Sequence, residues 1–133
     1  MLLVVDANIF FSALISRSLT AGLLFSESLE LIAPEFLLME LEEHKEEILF
    51  KSSIPEDDFI KSVSLFGDMV DFIPRQEFEE FLVESNKLTQ DPDDTEYLAL
   101  ALKFSCPVWS NDKGLKKQSK VKIFSTSDLL QVL

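Results

Sequence analysis

The chain has 133 residues, of which 47% are hydrophobic, and a formal net charge of −12 at pH 7. This length and apolar content predict one folded domain over residues 1–133 and exclude a disordered chain. The negative charge excludes broad adhesion to nucleic acids or anionic membranes but leaves a specific nucleic-acid substrate open. No apolar run approaches the ~18 residues of a membrane span, and Met1 leads directly into the first predicted strand. We therefore expect a cytoplasmic protein with no signal peptide and no membrane partner.

The first fifty residues predict alternating strands and helices. The opening run, Leu2 to Val5, is entirely apolar and is typical of a strand buried within a parallel sheet. The elements expected after it are, in order, a helix or loop from Asn8 to Leu14, a break at Arg17-Ser18, a helix over 20–28 with Thr20 as its cap, a strand over 29–33 and a helix over 35–50. Pro34 suits the first turn of this last helix, because its missing N–H is not needed there.

The helix predicted over 35–50 has an apolar face and an acidic face. Leu37, Leu41, His44 and Ile48 recur at steps of three or four residues and share one face. Because Glu40 falls on the same stripe, we expect its carboxylate to point inward. The remaining acids of this helix are expected to face solvent; they are Glu42, Glu43, Glu46 and Glu47.

The rest of the chain continues the alternation. The expected elements are, in order, a helix to Phe66 that starts with a capping box at Ser53-Ile54-Pro55-Glu56 and ends at Gly67, a strand over 69–73, an acidic amphipathic helix over 76–87, a helix over 95–104, strands over 108–110 and 121–125, and a terminal helix capped by Ser127 or Asp128. Strands that alternate with helices imply βαβ units. The predicted fold is therefore α/β, a three-layer α/β/α sandwich with a central, mostly parallel sheet of about five strands.

Most common catalytic and binding motifs are missing from this sequence. The 3 Gly residues form no phosphate-binding pattern, which excludes a P-loop or a dinucleotide site. One His and one Cys exclude the usual zinc sites, and no G-x-S-x-G elbow accompanies His44. Cys106 is expected to be a small buried hydrophobe in a reducing compartment. Carboxylates are what remain for chemistry.

Acidic residues lie at the sheet edge where open α/β folds bind ligands. Asp6 directly follows the first strand, and Asp112 follows the strand over 108–110, so both leave the same edge. Glu40, on the inward face of its helix, is the natural partner of this pair. Asp6 has an alternative role as the N-cap of the next helix, because helix starts favour Asp.

The turn Asp91-Pro92-Asp93-Asp94 supplies the fourth acid. Asp93 and Glu96 have the spacing of a capping box, which makes Asp93 the N-cap and leaves the carboxylate of Asp94 free. Because the turn is short, Asp91 is the alternative to Asp94 as the acid presented to the site.

Carboxylates that converge repel one another, and their pKa values rise unless a cation intervenes. Oxygen-only ligands suit hard ions, so the expected cofactor is Mg²⁺ or Mn²⁺, which can bind a phosphate oxygen and activate a water. Five of the 12 Lys and Arg residues follow Asp112 within one short segment. Those nearest to it, Lys113, Lys116 and Lys117, are expected to contact substrate phosphates. The alternative for this segment is a solvated loop or a surface for an acidic partner.

Four motifs stand in register along the chain: Asp6-Ala7-Asn8 after an opening strand, Glu40 on an early helix, Asp94 before the helix of Leu98-Ala99-Leu100-Ala101, and Ser110-Asn111-Asp112 after a strand. Together they resemble the PIN domain. The resemblance covers essentially the whole chain, and small free-standing members of the family are similar to the VapC-type ribonuclease toxins of prokaryotes. It implies that the catalytic metal ligands are Asp6, Glu40, Asp94 and Asp112. It also implies that Asn8 and Ser110 orient the first and last of these acids by hydrogen bonds.

The resemblance implies a metal-dependent endoribonuclease that hydrolyses single-stranded RNA, with a small antitoxin as partner. It also implies a homodimer, and the apolar residues Phe10, Phe11 and Leu14 are the expected subunit contact. Gly114 and Leu115 stand where many members have an acid or amide and an aromatic residue. We therefore expect one tightly held ion and a weak second one. Ser110 replaces the more common Thr and keeps the hydroxyl.

Two other interpretations of the sequence remain. A phosphoacceptor receiver domain is also α/β, but it would need an acidic pair in place of Val5-Asp6 and a lysine presented by the last strand, where only Lys122 stands. A PIN-like domain could also act as a non-catalytic binding module, against which the four acids argue.

Overall fold

A five-stranded parallel sheet organises the chain. The computed structural model describes residues 1–16 and 19–133. The sheet has the order β3-β2-β1-β4-β5, and its strands are β1 Leu2–Val5, β2 Glu30–Pro34, β3 Val70–Ile73, β4 Val108–Trp109 and β5 Ile123–Phe124. Each neighbouring pair of strands is parallel. The predicted fold class is confirmed, with a sheet that is wholly rather than mostly parallel.

Helices flank this sheet. The α-helices of the described residues are α1 Ala7–Ser16, α2 Leu19–Leu24, α3 Phe36–Glu43, α4 Lys45–Ser52, α5 Glu56–Gly67, α6 Leu82–Asn86, α7 Thr95–Phe104 and α8 Thr126–Val132. Short 3₁₀ turns occur at Arg75–Glu77, Glu79–Phe81, Pro92–Asp94 and Lys113–Lys117. Helix α7 packs against β1 and β2, whereas α1 packs against α3, α4 and α5. In the described part of the chain, no helix is long and apolar enough to cross a membrane.

The strand order brings two distant parts of the chain together. The chain builds β1, β2 and β3 in one direction and then returns to the other side of β1 to form β4 and β5. The carboxyl ends of β1 and β4 are therefore the topological switch point, where such folds bind ligands. Val5 is in register with Trp109, and the backbone N–H of Asp6 donates to the Trp109 carbonyl at 3.0 Å. The residues that follow β1 and β4 must consequently lie side by side.

The helix predicted over 35–50 is two helices in the structure. It breaks at His44, whose φ of −100° and ψ of 6° end α3, and α4 then begins at Lys45. The predicted inward face is confirmed at Leu37 and Ile48, which are buried, whereas the His44 side chain is 43% exposed. The placement of Pro34 in the first helical turn is wrong, because Pro34 pairs in β2 with Ile73 of β3.

Several predicted helix caps are also wrong. Thr20 lies inside α2, which ends at Leu24 instead of running to residue 28. Ser53 does not cap α5, because it adopts a left-handed conformation with φ of 57° that ends α4. Pro55 occupies the N-cap position of α5 instead. Ser125, rather than Ser127 or Asp128, is the N-cap of α8, and the Asp128 side chain completes its capping box.

The segment predicted as one helix over 76–87 is mostly irregular. Its only α-helical part is the short α6, preceded by the two 3₁₀ turns at Arg75–Glu77 and Glu79–Phe81. Phe78 lies between these turns with φ of −130° and is fully buried, so its packing interrupts the helical path. The predicted break at Arg17-Ser18 lies outside the described residues.

Phe10, Phe11 and Leu14 do not form an exposed surface, so the prediction that they make the subunit contact is wrong. Phe10 and Leu14 are buried in the core, and Phe11 is half-buried with its ring 5.2 Å from that of His44. The large apolar side chains that α3 and α4 expose are instead Leu38, Met39 and Phe50.

The prediction that Cys106 is a buried hydrophobe holds only in part. Cys106 is half-buried, and burial raises the pKa of its thiol to about 11.

Candidate active site

Ser110 lies at the centre of a hydrogen-bond network at the switch point. Its hydroxyl donates to Asp6 Oδ2 at 2.7 Å and accepts from Asn8 Nδ2 at 3.2 Å and from the backbone N–H of Asp112 at 3.0 Å. A hydroxyl has one proton to donate and two lone pairs, so these three bonds use its full capacity. Asn8 Oδ1 also accepts from the backbone N–H of Asn111 at 3.4 Å. One buried side chain therefore ties the end of β1 to the end of β4.

Asp6 is a buried carboxylate beside this network. Burial raises its pKa to about 6, against the lowering effect of the hydrogen bond from Ser110, and the Asp112 carboxylate raises it further. Backbone N–H groups of Ala7 and Asn8, at the start of α1, also lower this pKa. Asp6 thus stands both at the start of a helix and at the sheet edge, the two positions on which its alternative predicted roles depend.

Glu40 reaches the same region from α3 and is held by a tyrosine. The hydroxyl of Tyr97, on α7, donates to Glu40 Oε1 at 2.5 Å, and both side chains are buried. Burial raises the pKa of Glu40 to about 7 in spite of this bond, and the charges of Asp6, Asp93 and Asp94 add to the rise. Burial and the Glu40 charge raise the pKa of Tyr97, so its hydroxyl stays protonated and remains the donor.

Tyr97 was not among the residues predicted for the site. Its hydroxyl is the polar group of an otherwise apolar stretch, Tyr97 to Ala101, and it follows Asp94 by three residues. Residues three apart lie on the same face of a helix, so this spacing was the available signal.

Asp94, rather than Asp91, is the buried acid of its turn. Asp91 is exposed, and its Oδ1 accepts from the backbone N–H of Asp93 at 2.9 Å, so Asp91 caps the 3₁₀ turn. The prediction that Asp93 is the cap is therefore wrong. Burial raises the pKa of Asp94 to about 7, and the charges of Asp91, Asp6, Asp112 and Asp93 contribute to the rise.

Electrostatic repulsion links all four predicted acids. Asp112 raises the pKa values of Asp6 and Asp94, and Asp6 and Asp94 raise that of Glu40. Within residues 1–16 and 19–133, no three Asp, Glu, His or Cys side chains are arranged to hold a metal ion together. Mg²⁺ commonly uses only one or two carboxylates and keeps its waters, so the donor set still fits this ion.

The family model for the PIN domain matches residues 4–131. The chain belongs to the PIN-domain family. Members of this family are in general metal-dependent nucleases. A chain in the crystal structure of VapBC2 from Rickettsia felis, bound to a DNA fragment from their promoter, has the same fold, with a TM-score of 0.69 and 13% identity. The match covers 94% of this chain and 98% of that one. No curated protein matches the sequence.

The strand order of this PIN domain rules out the receiver interpretation. Receiver domains have the strand order 2-1-3-4-5, in which the switch point lies between β1 and β3. Here β1 lies between β2 and β4. The alternative of a phosphoacceptor receiver domain is therefore wrong.

A cleft of about 600 Å³ opens beside Asp94 and Asp112 of the PIN domain. Of the three lysines predicted to contact substrate, Lys117 lines this cleft, whereas Lys116 pairs with Asp128 at 2.9 Å and Lys113 is exposed outside the lining. Asp112 forms the cleft wall with Gly114, whose backbone N–H donates to Asp112 Oδ1 at 2.9 Å.

Proposed function

We propose that this PIN domain is a divalent-metal-dependent endoribonuclease that hydrolyses phosphodiester bonds of single-stranded RNA. The observation that carries the proposal is the placement of Asp6, Glu40 and Asp94 around the switch point, with pKa values raised to about 6, 7 and 7. Burial and mutual repulsion make these carboxylates costly to ionise without a nearby positive charge. A divalent cation bound among them would remove that cost.

The carboxylate oxygens suit Mg²⁺ or Mn²⁺, and the residues proposed to hold the ion are Asp6, Glu40, Asp94 and Asp112, one or two of them directly and the others through waters that the ion keeps. When bound, such an ion stabilises charge on phosphoryl oxygens and activates a water for in-line attack. The protein's own task is positioning: Ser110 and Asn8 hold Asp6 and the start of the Asp112 turn. Gly114 and Leu115 offer no further ligand after Asp112, which supports one tightly held ion and a weak second one.

The fold shared with a VapBC2 chain supports a VapC-type toxin role, in the cytoplasm and with a small antitoxin as partner. A homodimer is part of this proposal, and the exposed side chains Leu38, Met39 and Phe50 offer apolar surface for it. The product of a neighbouring reading frame should then co-purify with this chain and inhibit its cleavage of RNA. Light scattering of the purified chain would give the number of subunits.

Cleavage of an end-labelled single-stranded RNA tests the nuclease directly. With Mg²⁺ or Mn²⁺ the wild type should cleave, and Asp6→Asn should lose about 100-fold or more of kcat/KM, because a proposed ligand is removed. Asp71→Asn is the matched control, since it removes the same charge from an exposed position on β3. Equal activity of Asp6→Asn, or activity that survives a chelator, would refute the proposal. Binding of RNA without cleavage would favour the binding-module alternative.

A further inference from the structure

The cleft beside Asp94 and Asp112 is built from two separate segments. One is the connection over 86–91, between α6 and the turn that presents Asp94, and the other is the turn over 112–117. Each segment contributes one cation to the lining, Lys87 from the first and Lys117 from the second. A negatively charged chain that enters this cleft therefore meets positive charge on both segments.

Among the described residues, the two lysines of the lining are unpaired, unlike Lys116 and Lys120 nearby. Lys116 pairs with Asp128 at 2.9 Å, and Lys120 lies 3.5 Å from Glu84. Lys87 and Lys117 have neither an ion pair nor a side-chain hydrogen bond within the part of the chain that the structure describes. Free ammonium groups beside a cluster of carboxylates are available to an anionic ligand without first breaking an internal contact.

The other residues that line the cleft provide few side chains that could recognise a base. None of the described residues that line it is aromatic, so it presents no ring on which a base could stack. Two of its polar side chains already hold the loop: Thr89 Oγ1 accepts from the Asp91 N–H at 3.1 Å, and Asn86 Oδ1 accepts from Thr95 Oγ1 at 3.1 Å. Contacts to phosphates position a nucleic acid without reading its sequence.

We propose that Lys87 and Lys117 bind backbone phosphates of a single-stranded polynucleotide and draw it across Asp94 and Asp112 without regard to base identity. This inference rests on the proposed nuclease function and adds to it the mode of substrate binding. The lining also carries the carboxylates of Asp91, Asp94 and Asp112, so among its described residues Lys87 and Lys117 are the two groups that can attract a phosphate. The inference adds Lys87 to the residues predicted to bind substrate and removes Lys116, which is paired with Asp128.

The test measures binding separately from cleavage. Fluorescein-labelled twelve-nucleotide oligouridylate and oligoadenylate are titrated, across a salt series, into Asp6→Asn protein, in which cleavage is expected to be lost and binding kept. Adding Lys87→Ala or Lys117→Ala should weaken binding several-fold and lower the slope of log affinity against log salt by about 0.7 for each phosphate that is no longer neutralised. Lys116→Ala, which removes the same charge from the neighbouring position, should change neither. The two oligonucleotides should bind alike.

Unchanged binding in Lys87→Ala and Lys117→Ala, an equal loss in Lys116→Ala, or no binding of either oligonucleotide would overturn this inference. A strong preference for one of the two oligonucleotides would refute the part of the inference that says binding does not depend on base identity. Cleavage by the wild-type protein is measured in parallel. Lysine-dependent binding without wild-type cleavage refutes the nuclease alone, whereas cleavage with lysine-independent binding refutes the lysine site alone.

Discussion

Tyr97 and Glu40, which are 57 residues apart in the sequence, are joined by a buried hydrogen bond from the tyrosine hydroxyl to Glu40 Oε1. This bond opposes every other influence on the carboxyl group, because burial and three neighbouring acids all raise the pKa of Glu40. A hydroxyl that donates to a carboxylate favours the charged form. Tyr97 is therefore the residue that helps Glu40 to ionise, as the proposed binding of a divalent cation requires.

Tyr97→Phe should make Glu40 harder to ionise. Loss of the hydroxyl raises the pKa of Glu40 above about 7, so the acidic limb of the activity profile should move to higher pH by about 0.5–1 unit. The measurement is kcat/KM for RNA cleavage across pH. Phe36→Leu is the control, since Phe36 packs edge-on against the Tyr97 ring with centroids 6.4 Å apart and makes no bond to the carboxylate. Phe36→Leu should lower stability and leave the pH profile of kcat/KM unchanged. If Tyr97→Phe also leaves that profile unchanged, the hydroxyl of Tyr97 does not help Glu40 to ionise.

The Ser110 hydroxyl should matter more than the size of its side chain. Ser110→Ala leaves Asp6, Asn8 and the Asp112 N–H without their shared partner, so activity should fall about 10- to 100-fold. Ser110→Thr keeps the hydroxyl and should retain most of the activity, although its extra methyl enters a buried position. Cleavage rates and thermal unfolding of both variants provide the check. An equal loss in the two would show that packing, rather than hydrogen bonding, is what this position requires.

The placement of acidic residues at this sheet edge was predictable from the sequence, whereas several contacts of the candidate site were not. An apolar run that ends in Asp6 predicts both a buried strand and a carboxylate at its end, because the two follow from the same local pattern. The bond between Tyr97 and Glu40 depends on how α3 and α7 pack, and a tyrosine in an apolar helix is also typical of a core residue. Local spacing also predicted Ser53 as the N-cap of α5. In the structure Ser53 is instead the C-cap of α4, and its left-handed conformation excludes the predicted role.

Stability of the metal-free protein should fall as pH rises. The folded-state pKa values of Asp6, Glu40 and Asp94 are about 6, 7 and 7, above the ordinary values of 3.8, 4.5 and 3.8. Between about pH 4 and pH 7 the folded state therefore binds more protons than the unfolded state, so the free energy of unfolding decreases with increasing pH. Thermal unfolding in EDTA should show this decrease. Mn²⁺ should restore stability at about pH 7.5 and have little effect at about pH 5, where these groups are protonated.

Asp6→Asn should stabilise the metal-free protein while it abolishes activity. At about pH 7.5 the ionised Asp6 costs free energy in its buried position, so its removal should raise the free energy of unfolding by about 1–2 kcal/mol. The gain should shrink toward pH 4, where Asp6 is already neutral in the folded state. Asp71→Asn reports the effect of removing any one negative charge. A gain no larger than that of Asp71→Asn at pH 7.5 would show that the burial of Asp6 carries no such cost.

Gly114→Ala should impair the site with little change in stability. A Cβ at this position would lie 3.2 Å from Asp112 Oδ1, the atom that accepts from the Gly114 N–H, so the carboxylate must shift. Movement of a proposed ligand should lower kcat/KM about 10-fold and weaken Mn²⁺ binding, which calorimetry measures. Gly22→Ala is the matched control, because its Cβ would meet nothing within 4 Å. That change in α2 should stabilise the protein by about 0.5–1 kcal/mol and leave cleavage unaltered. If Gly114→Ala also leaves cleavage and Mn²⁺ binding unaltered, Asp112 does not need this geometry to act as a ligand.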